Sequence, residues 1–114
     1  MTTLYVRRFS FKDSISDSEI LDYWKFLVDE AVPAIEKVDG VRSVKLYSGA
    51  GALRADIRVV FEMDDAGVYE RVLMDPDVGK MFGRIYGAWD LKASTQQFLR
   101  EVTPELIHAL SSTG

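Results

Sequence analysis

Three observations in the sequence predict an α+β domain. Residues rich in aromatic and β-branched types alternate in face over 4–11, 41–48, 55–63 and 93–102. Two stretches with a helical apolar stripe separate the first strand from the second and the third from the fourth. These segments nearly fill the 114 residues, so the order is βαββαβ in one domain spanning 1–114, with a core of 4–102 and a C-terminal extension of 103–114. That order is the split βαβ arrangement of a ferredoxin-like fold, a four-stranded antiparallel sheet with its helices on one face. The other face is left for water, a ligand or a second copy of the chain.

The first strand, Leu4 to Phe11, ends at the polar Lys12-Asp13-Ser14 and sends Tyr5, Arg7, Phe9 and Phe11 to one side. Ser16 and Glu19 have capping-box spacing before an apolar stripe of Ile20, Leu21, Trp24, Leu27, Val28, Ala31 and Ile35, which predicts a helix over about 17–37. Pro33 kinks that helix near its end, and Asp39-Gly40 closes it. In the second strand Val44 and Leu46 share a face, with Ser43, Lys45 and Tyr47 on the other. Gly49-Ala50-Gly51-Ala52 reads as a hairpin turn rather than a phosphate loop, because no Lys-Ser/Thr pair and no helix start follow it. The third strand alternates Ile57, Val59, Phe61 and Met63 with Asp56, Arg58, Val60 and Glu62.

Asp64-Asp65 caps a second helical region that Asp75-Pro76-Asp77 divides into pieces of about 65–73 and 76–87, with Asp75 as cap and Pro76 as the first helical residue. The fourth strand puts Thr95, Gln97 and Leu99 on one face and Gln96, Phe98 and Arg100 on the other. Thr103-Pro104-Glu105 then starts a short helix carrying Leu106, Ile107 and Leu110, which either folds back or reaches a partner.

Composition removes several function classes. The net charge of −4 argues against a nucleic-acid partner, since phosphate neutralisation supplies most of that affinity. No apolar run approaches the roughly 18 residues that a membrane-spanning helix needs, so no membrane association is expected. The first residues lack the basic and apolar segments of a signal peptide, which with zero cysteines makes a cytoplasmic location the expectation. His108 is the only histidine and no cysteine joins it, so the sequence offers no metal site and implies no cofactor.

Arg7 stands out because it shares a face with Tyr5, Phe9 and Phe11 that should look toward the helices. A guanidinium there either bridges to a helix acid such as Glu30, lies along the aromatics with its head in water, or clamps an anion in a pocket. Arg8 and Arg58 point to the opposite face with Lys45, Glu62 and Glu101, as a charge network or a site for an acidic ligand. Gly79, Gly83 and Gly87 recur every four residues, as a stripe for close helix packing or the floor of a cavity walled by Met81, Phe82, Ile85, Tyr86 and Trp89.

The element order, the strand Val6-Arg7-Arg8-Phe9-Ser10-Phe11-Lys12 and the segment Asp75-Pro76-Asp77-Val78-Gly79 resemble the dimeric α+β barrel superfamily, which includes antibiotic-biosynthesis monooxygenase-like, EthD-like and stress-responsive barrel proteins. The resemblance implies a homodimer in which two sheets meet through their open faces, with a small aromatic or polyketide-like molecule bound between sheet and helices in each protomer. Arg7 and Tyr86 then stand as catalytic candidates, and Tyr5, Trp24, Phe82 and Trp89 as ligand-binding candidates. Arg8, Lys45, Tyr47, Arg58 and Gln97 fall toward the dimer interior. The haem-degrading branch uses a helix histidine that neither main helix here supplies. The implied activities are cofactor-independent monooxygenation or isomerisation, the alternative being a non-catalytic ligand-binding or dimerisation module.

Overall fold

The computed structural model describes residues 2–49 and 53–112. Strands β1 (Thr3–Phe9), β2 (Val41–Tyr47), β3 (Ile57–Met63) and β4 (Thr95–Arg100) form one antiparallel sheet in the order β2-β3-β1-β4. Strand β1 is laddered on both sides, with Tyr5 opposite Phe61 in β3 and Phe98 in β4. Phe11 lies beyond the end of β1 and bridges to Trp89. Residues 50–52 of the expected hairpin turn lie outside the described residues.

The first helical layer runs from α1 (Asp17–Phe26) through a π turn (Leu27–Ala31) into α2 (Val32–Glu36). Both halves of the expected capping box are made: Ser16 Oγ accepts from the Glu19 N–H, and the Glu19 carboxylate accepts from the Ser16 N–H. The effect of Pro33 is a π turn rather than a simple kink. The Val32 N–H donates to the Leu27 carbonyl, five residues back, just before the proline that has no N–H to give.

The second layer has three pieces, where the spacing predicts two: α3 (Val68–Met74), α4 (Pro76–Gly79) and α5 (Phe82–Gly87). Asp75 is the expected cap, in extended backbone, and its Oδ1 accepts from the N–H groups of Asp77 and Val78, both at 3.0 Å. Asp64 and Asp65 act one step before the helix: the N-cap is Gly67, whose N–H donates to Asp65, while Asp64 pairs with Arg42 at 2.7 Å. A 3-10 turn (Leu91–Ala93) leads into β4, and α6 (Pro104–Ser112) follows it. That last helix buries none of its residues, and the molecule measures 55 × 31 × 22 Å, so the extension does not fold back onto its own sheet. Among the described residues no helix is long and apolar enough to cross a membrane.

Between sheet and helices the core divides into two clusters. Tyr5, Val44, Phe61 and Met63 meet Ile35, Val38, Val68, Val72 and Val78 at one end. Phe9, Phe11 and Ile57 meet Ile20, Tyr23, Phe26, Leu27, Ala31 and Trp89 at the other. Val59 packs against both.

The glycines divide as sharply. Gly40 has φ +94°, and a Cβ there would lie 2.6 Å from Val68 Cγ2, so both backbone and space require glycine. The stripe of Gly79, Gly83 and Gly87 neither packs on the sheet nor floors a cavity: these positions are exposed and a Cβ at each would meet open space. Gly83→Ala is therefore expected to stabilise the fold by roughly 0.5–1 kcal/mol, through helix propensity and a less free unfolded chain. Gly40→Ala is expected to destabilise it by about 1–3 kcal/mol. Urea unfolding of the two variants checks the opposed signs.

Candidate functional site

Alternation along β1 decides what reaches the interior. Tyr5, Arg7 and Phe9 face the helices; Leu4, Val6 and Arg8 face away. Tyr5 and Arg7 open into a cavity of about 60 Å³ between the sheet, α2 and the second helical layer. Its walls are mostly aliphatic and aromatic, including Val59 and Phe61 from β3, Ile35 from α2, Phe82 and Tyr86 from α5, and Trp89.

The polar end of the cavity is built by β1, α3, α5 and β4. Tyr69 OH donates to Tyr5 OH at 3.1 Å, and Tyr5 OH donates to Gln96 Oε1 at 3.1 Å. The Arg7 guanidinium donates through Nη1 to the same Gln96 oxygen at 2.9 Å and through Nη2 to Ser94 Oγ at 3.1 Å. Its Nε is buried with no hydrogen-bond partner. The guanidinium carbon lies 5.2 Å from the Trp89 ring centroid and 5.8 Å from that of Tyr86, within cation–π range.

Among the described residues no carboxylate pairs with Arg7. The bridge to Glu30, one of the three readings of Arg7, is not made; Glu30 lies 3.5 Å from Arg84 instead. Every hydrogen-bond partner of the Arg7 charge is thus neutral. The phenols beside it are held neutral as well. Burial, followed by the hydrogen bond with Tyr5, raises the Tyr69 pKa above the ordinary phenol value. Burial and then the field of Tyr69 raise that of Tyr86, with Arg7 opposing both. No carboxylate or histidine lines the cavity, and no group of acidic or histidine side chains suited to a metal occurs among the described residues. The arrangement offers hydrogen-bond donors and one cation, and no general base.

Trp89 is a rigid wall. Its ring stacks on Phe9 with centroids 4.0 Å apart and planes at 15°, and its Nε1–H donates to Tyr23 OH at 2.8 Å. Tyr23 OH in turn donates to the Ile85 carbonyl at 2.7 Å, which ties α1 to α5. Burial raises the Tyr23 pKa too.

Of the residues singled out in the sequence, Arg7, Tyr86, Tyr5, Phe82 and Trp89 meet at this cavity. Trp24 does not: it is partly buried against the Phe9 cluster outside the cavity, and its Nε1–H donates to the Leu53 carbonyl at 2.9 Å. Arg8, Tyr47, Arg58 and Gln97 line the opposite, open face with Leu4, Val6, Val60 and Leu99, around a groove of about 790 Å³. Lys45 stands opposite Val60 in register at the same face. The acid that serves Arg8 and Arg58 is Asp56, at 2.8 and 3.6 Å, rather than Glu62. Asp56 reaches both from a left-handed backbone at φ +57°. Tyr69, Ser94 and Gln96 complete the site without having been singled out. The alternation that put Gln97 on the open face places Gln96 beside Arg7, its Cα partner across the ladder.

No protein-family model and no curated protein matches the chain. Solved structures do. A dimeric protein of unknown function and ferredoxin-like fold from Bacteroides fragilis aligns with a TM-score of 0.70 at 14% identity, over 88% of this chain and 96% of that one. SnoaB, a cofactor-independent oxygenase from Streptomyces nogalater, aligns with a TM-score of 0.67 at 12% identity, over 90% and 97%. An EthD family protein from Bacillus halodurans aligns with a TM-score of 0.59 at 16% identity, over 90% and 100%. The chain shares the ferredoxin-like fold of these proteins.

Tyr23→Phe removes the acceptor of the Trp89 N–H and leaves that buried donor unmade. It is expected to cost roughly 1–3 kcal/mol of stability, measured as a lower urea midpoint at unchanged slope.

Proposed function

We propose that the cavity binds a small aromatic molecule carrying an acidic oxygen, a phenol or enol, and that Arg7 stabilises its anion. The observation that carries this reading is the Arg7 guanidinium, which enters an apolar pocket with neutral partners only. An unbalanced cation in a low-dielectric site favours the ionised form of any acid placed beside it. Tyr86 and Tyr69 keep their protons and so serve as donors to that oxygen. Phe82 and Trp89 supply ring contacts and exclude water.

A bound enolate or phenolate stabilised by fixed donors is the state from which cofactor-independent monooxygenation or isomerisation proceeds. The likeness to SnoaB, a cofactor-independent oxygenase, supports oxidation as the reaction. The absence of a carboxylate or histidine from the cavity lining favours a second reading, a ligand-binding module without catalysis. In either case the ligand proton leaves to solvent rather than to a side chain.

Assembly belongs to the same proposal. The open face mixes Leu4, Val6, Val60 and Leu99 with Arg8, Arg58 and Asp56, and a second copy laid face to face would cover it. The dimeric state of the Bacteroides fragilis protein supports this assembly.

Binding is tested with 4-nitrophenol, whose visible absorbance reports its ionisation. The protein is expected to lower the apparent pKa of the bound phenol. Arg7→Met is expected to reverse that shift and to weaken binding of the phenolate about tenfold or more, the scale of a charge-assisted hydrogen bond. Equal binding and equal spectra in the two proteins would remove the anion reading. Assembly is tested by Val60→Glu, expected to convert a dimer to a monomer in sedimentation velocity with an unchanged far-UV circular dichroism spectrum.

A further inference from the structure

Two donors of the site converge on one oxygen, and that oxygen belongs to the protein itself. Gln96 Oε1 accepts from Arg7 Nη1 at 2.9 Å and from Tyr5 OH at 3.1 Å. Both donors come from residues that line the cavity, whereas Gln96 stands on the exposed edge strand β4 and does not line it. We infer that the Gln96 amide oxygen is a built-in stand-in for the ligand oxygen, and that its displacement makes the site selective for anions. The inference rests on the phenolate reading above and deepens it.

The argument is a comparison of acceptors. The donors are a guanidinium and a phenol, and they need an acceptor whether or not a ligand is bound. A neutral amide oxygen already satisfies them. A ligand with a neutral carbonyl or ether oxygen therefore exchanges one neutral acceptor for another and gains little. It also has to displace a group that is tethered and so always at high effective concentration. A phenolate or enolate oxygen makes charge-assisted bonds to the same donors, roughly twice as strong as neutral ones, and wins the exchange. The released amide moves out from an edge strand into water, where it is solvated at little cost. Gln96 thus raises the threshold for every ligand, and only an oxyanion clears it comfortably.

Gln96 and Gln97 are the only side-chain amides in the sequence, so the Gln96 signal is identified by its loss in Gln96→Ala. Binding of 4-nitrophenolate, and of its neutral ether 4-nitroanisole, is measured by calorimetry for the unmodified protein, Gln96→Ala, Gln96→Glu and Arg7→Met. In a uniformly nitrogen-15-labelled protein the Gln96 side-chain amide resonance is followed during the phenolate titration. Gln96→Ala is expected to tighten 4-nitrophenolate by roughly threefold to tenfold, the worth of one net hydrogen bond to a neutral acceptor, and to admit 4-nitroanisole. Gln96→Glu is expected to abolish phenolate binding by pairing Arg7 permanently. The Gln96 amide signal is expected to move toward its free value as phenolate binds.

Weaker phenolate binding in Gln96→Ala would overturn the inference, since Gln96 would then be holding Arg7 in place for the ligand. Unchanged binding, or a Gln96 amide signal that does not move, would overturn it too. Phenolate binding that is unaffected by Arg7→Met defeats the anion reading of the pocket itself. Binding that depends on Arg7 but not on Gln96 leaves that reading standing and removes only the stand-in.

Discussion

The register of strand β1 is the constraint on which the rest depends. It is laddered to both β4 and β3, and its period of two sends Tyr5, Arg7 and Phe9 inward while Leu4, Val6 and Arg8 go outward. A slip of one residue would bury Arg8 and expose Phe9, which is fully buried against Trp89. The aromatic residues on either side of Arg7 therefore fix where its charge lies. Phe9 anchors one core cluster and Tyr5 the other, so the guanidinium is carried between them without a carboxylate to draw it there.

That placement is tolerable because the charge is shared among many weak partners. Two neutral acceptors, Gln96 on β4 and Ser94 just before it, take its terminal nitrogens, and the faces of Trp89 and Tyr86 take part of the remainder. A buried ion pair would have satisfied the arginine more completely and left the cavity neutral. The structure instead keeps a donor-rich, acid-free pocket, and the unpartnered Nε shows that the guanidinium is not fully satisfied.

What was legible in the sequence is what local chemistry dictates. The capping box at Ser16 and Glu19 and the Asp75-Pro76 helix start need only neighbouring residues, and both are formed as read. Strand faces follow from period two, which is why Arg7 and Arg8 were separable and why Gln97 and Gln96 fell on opposite sides. Features set by the third dimension were not readable. Trp24 belongs to the apolar stripe of α1 and packs partly against the core, yet its indole N–H goes to the Leu53 carbonyl and it does not line the cavity. The glycine stripe has helical spacing, but the helix breaks between Gly79 and Phe82, and α5 turns Phe82, Ile85 and Tyr86 to the cavity while the glycines stay in solvent. Alternation put Asp56 on the face of Arg58, but that it serves both Arg8 and Arg58 depends on its left-handed backbone, which local pattern does not give.

The division of the core into two clusters bears on how the cavity can respond to an occupant. The cavity is walled by members of both, Tyr5, Ile35 and Phe61 from one and Leu27, Ala31 and Trp89 from the other, with Val59 common to the two. It lies along a seam, and the π turn at Leu27–Ala31 is where the helical rod crosses that seam. At about 60 Å³ the space is smaller than the roughly 150 Å³ of an engineered apolar cavity that takes up benzene. Close-packed interiors resist local expansion, but two packed bodies can part along their common boundary while each keeps its own contacts. An aromatic ring larger than the resting cavity would therefore enter by parting two half-cores along this seam, and neither would have to be dismantled.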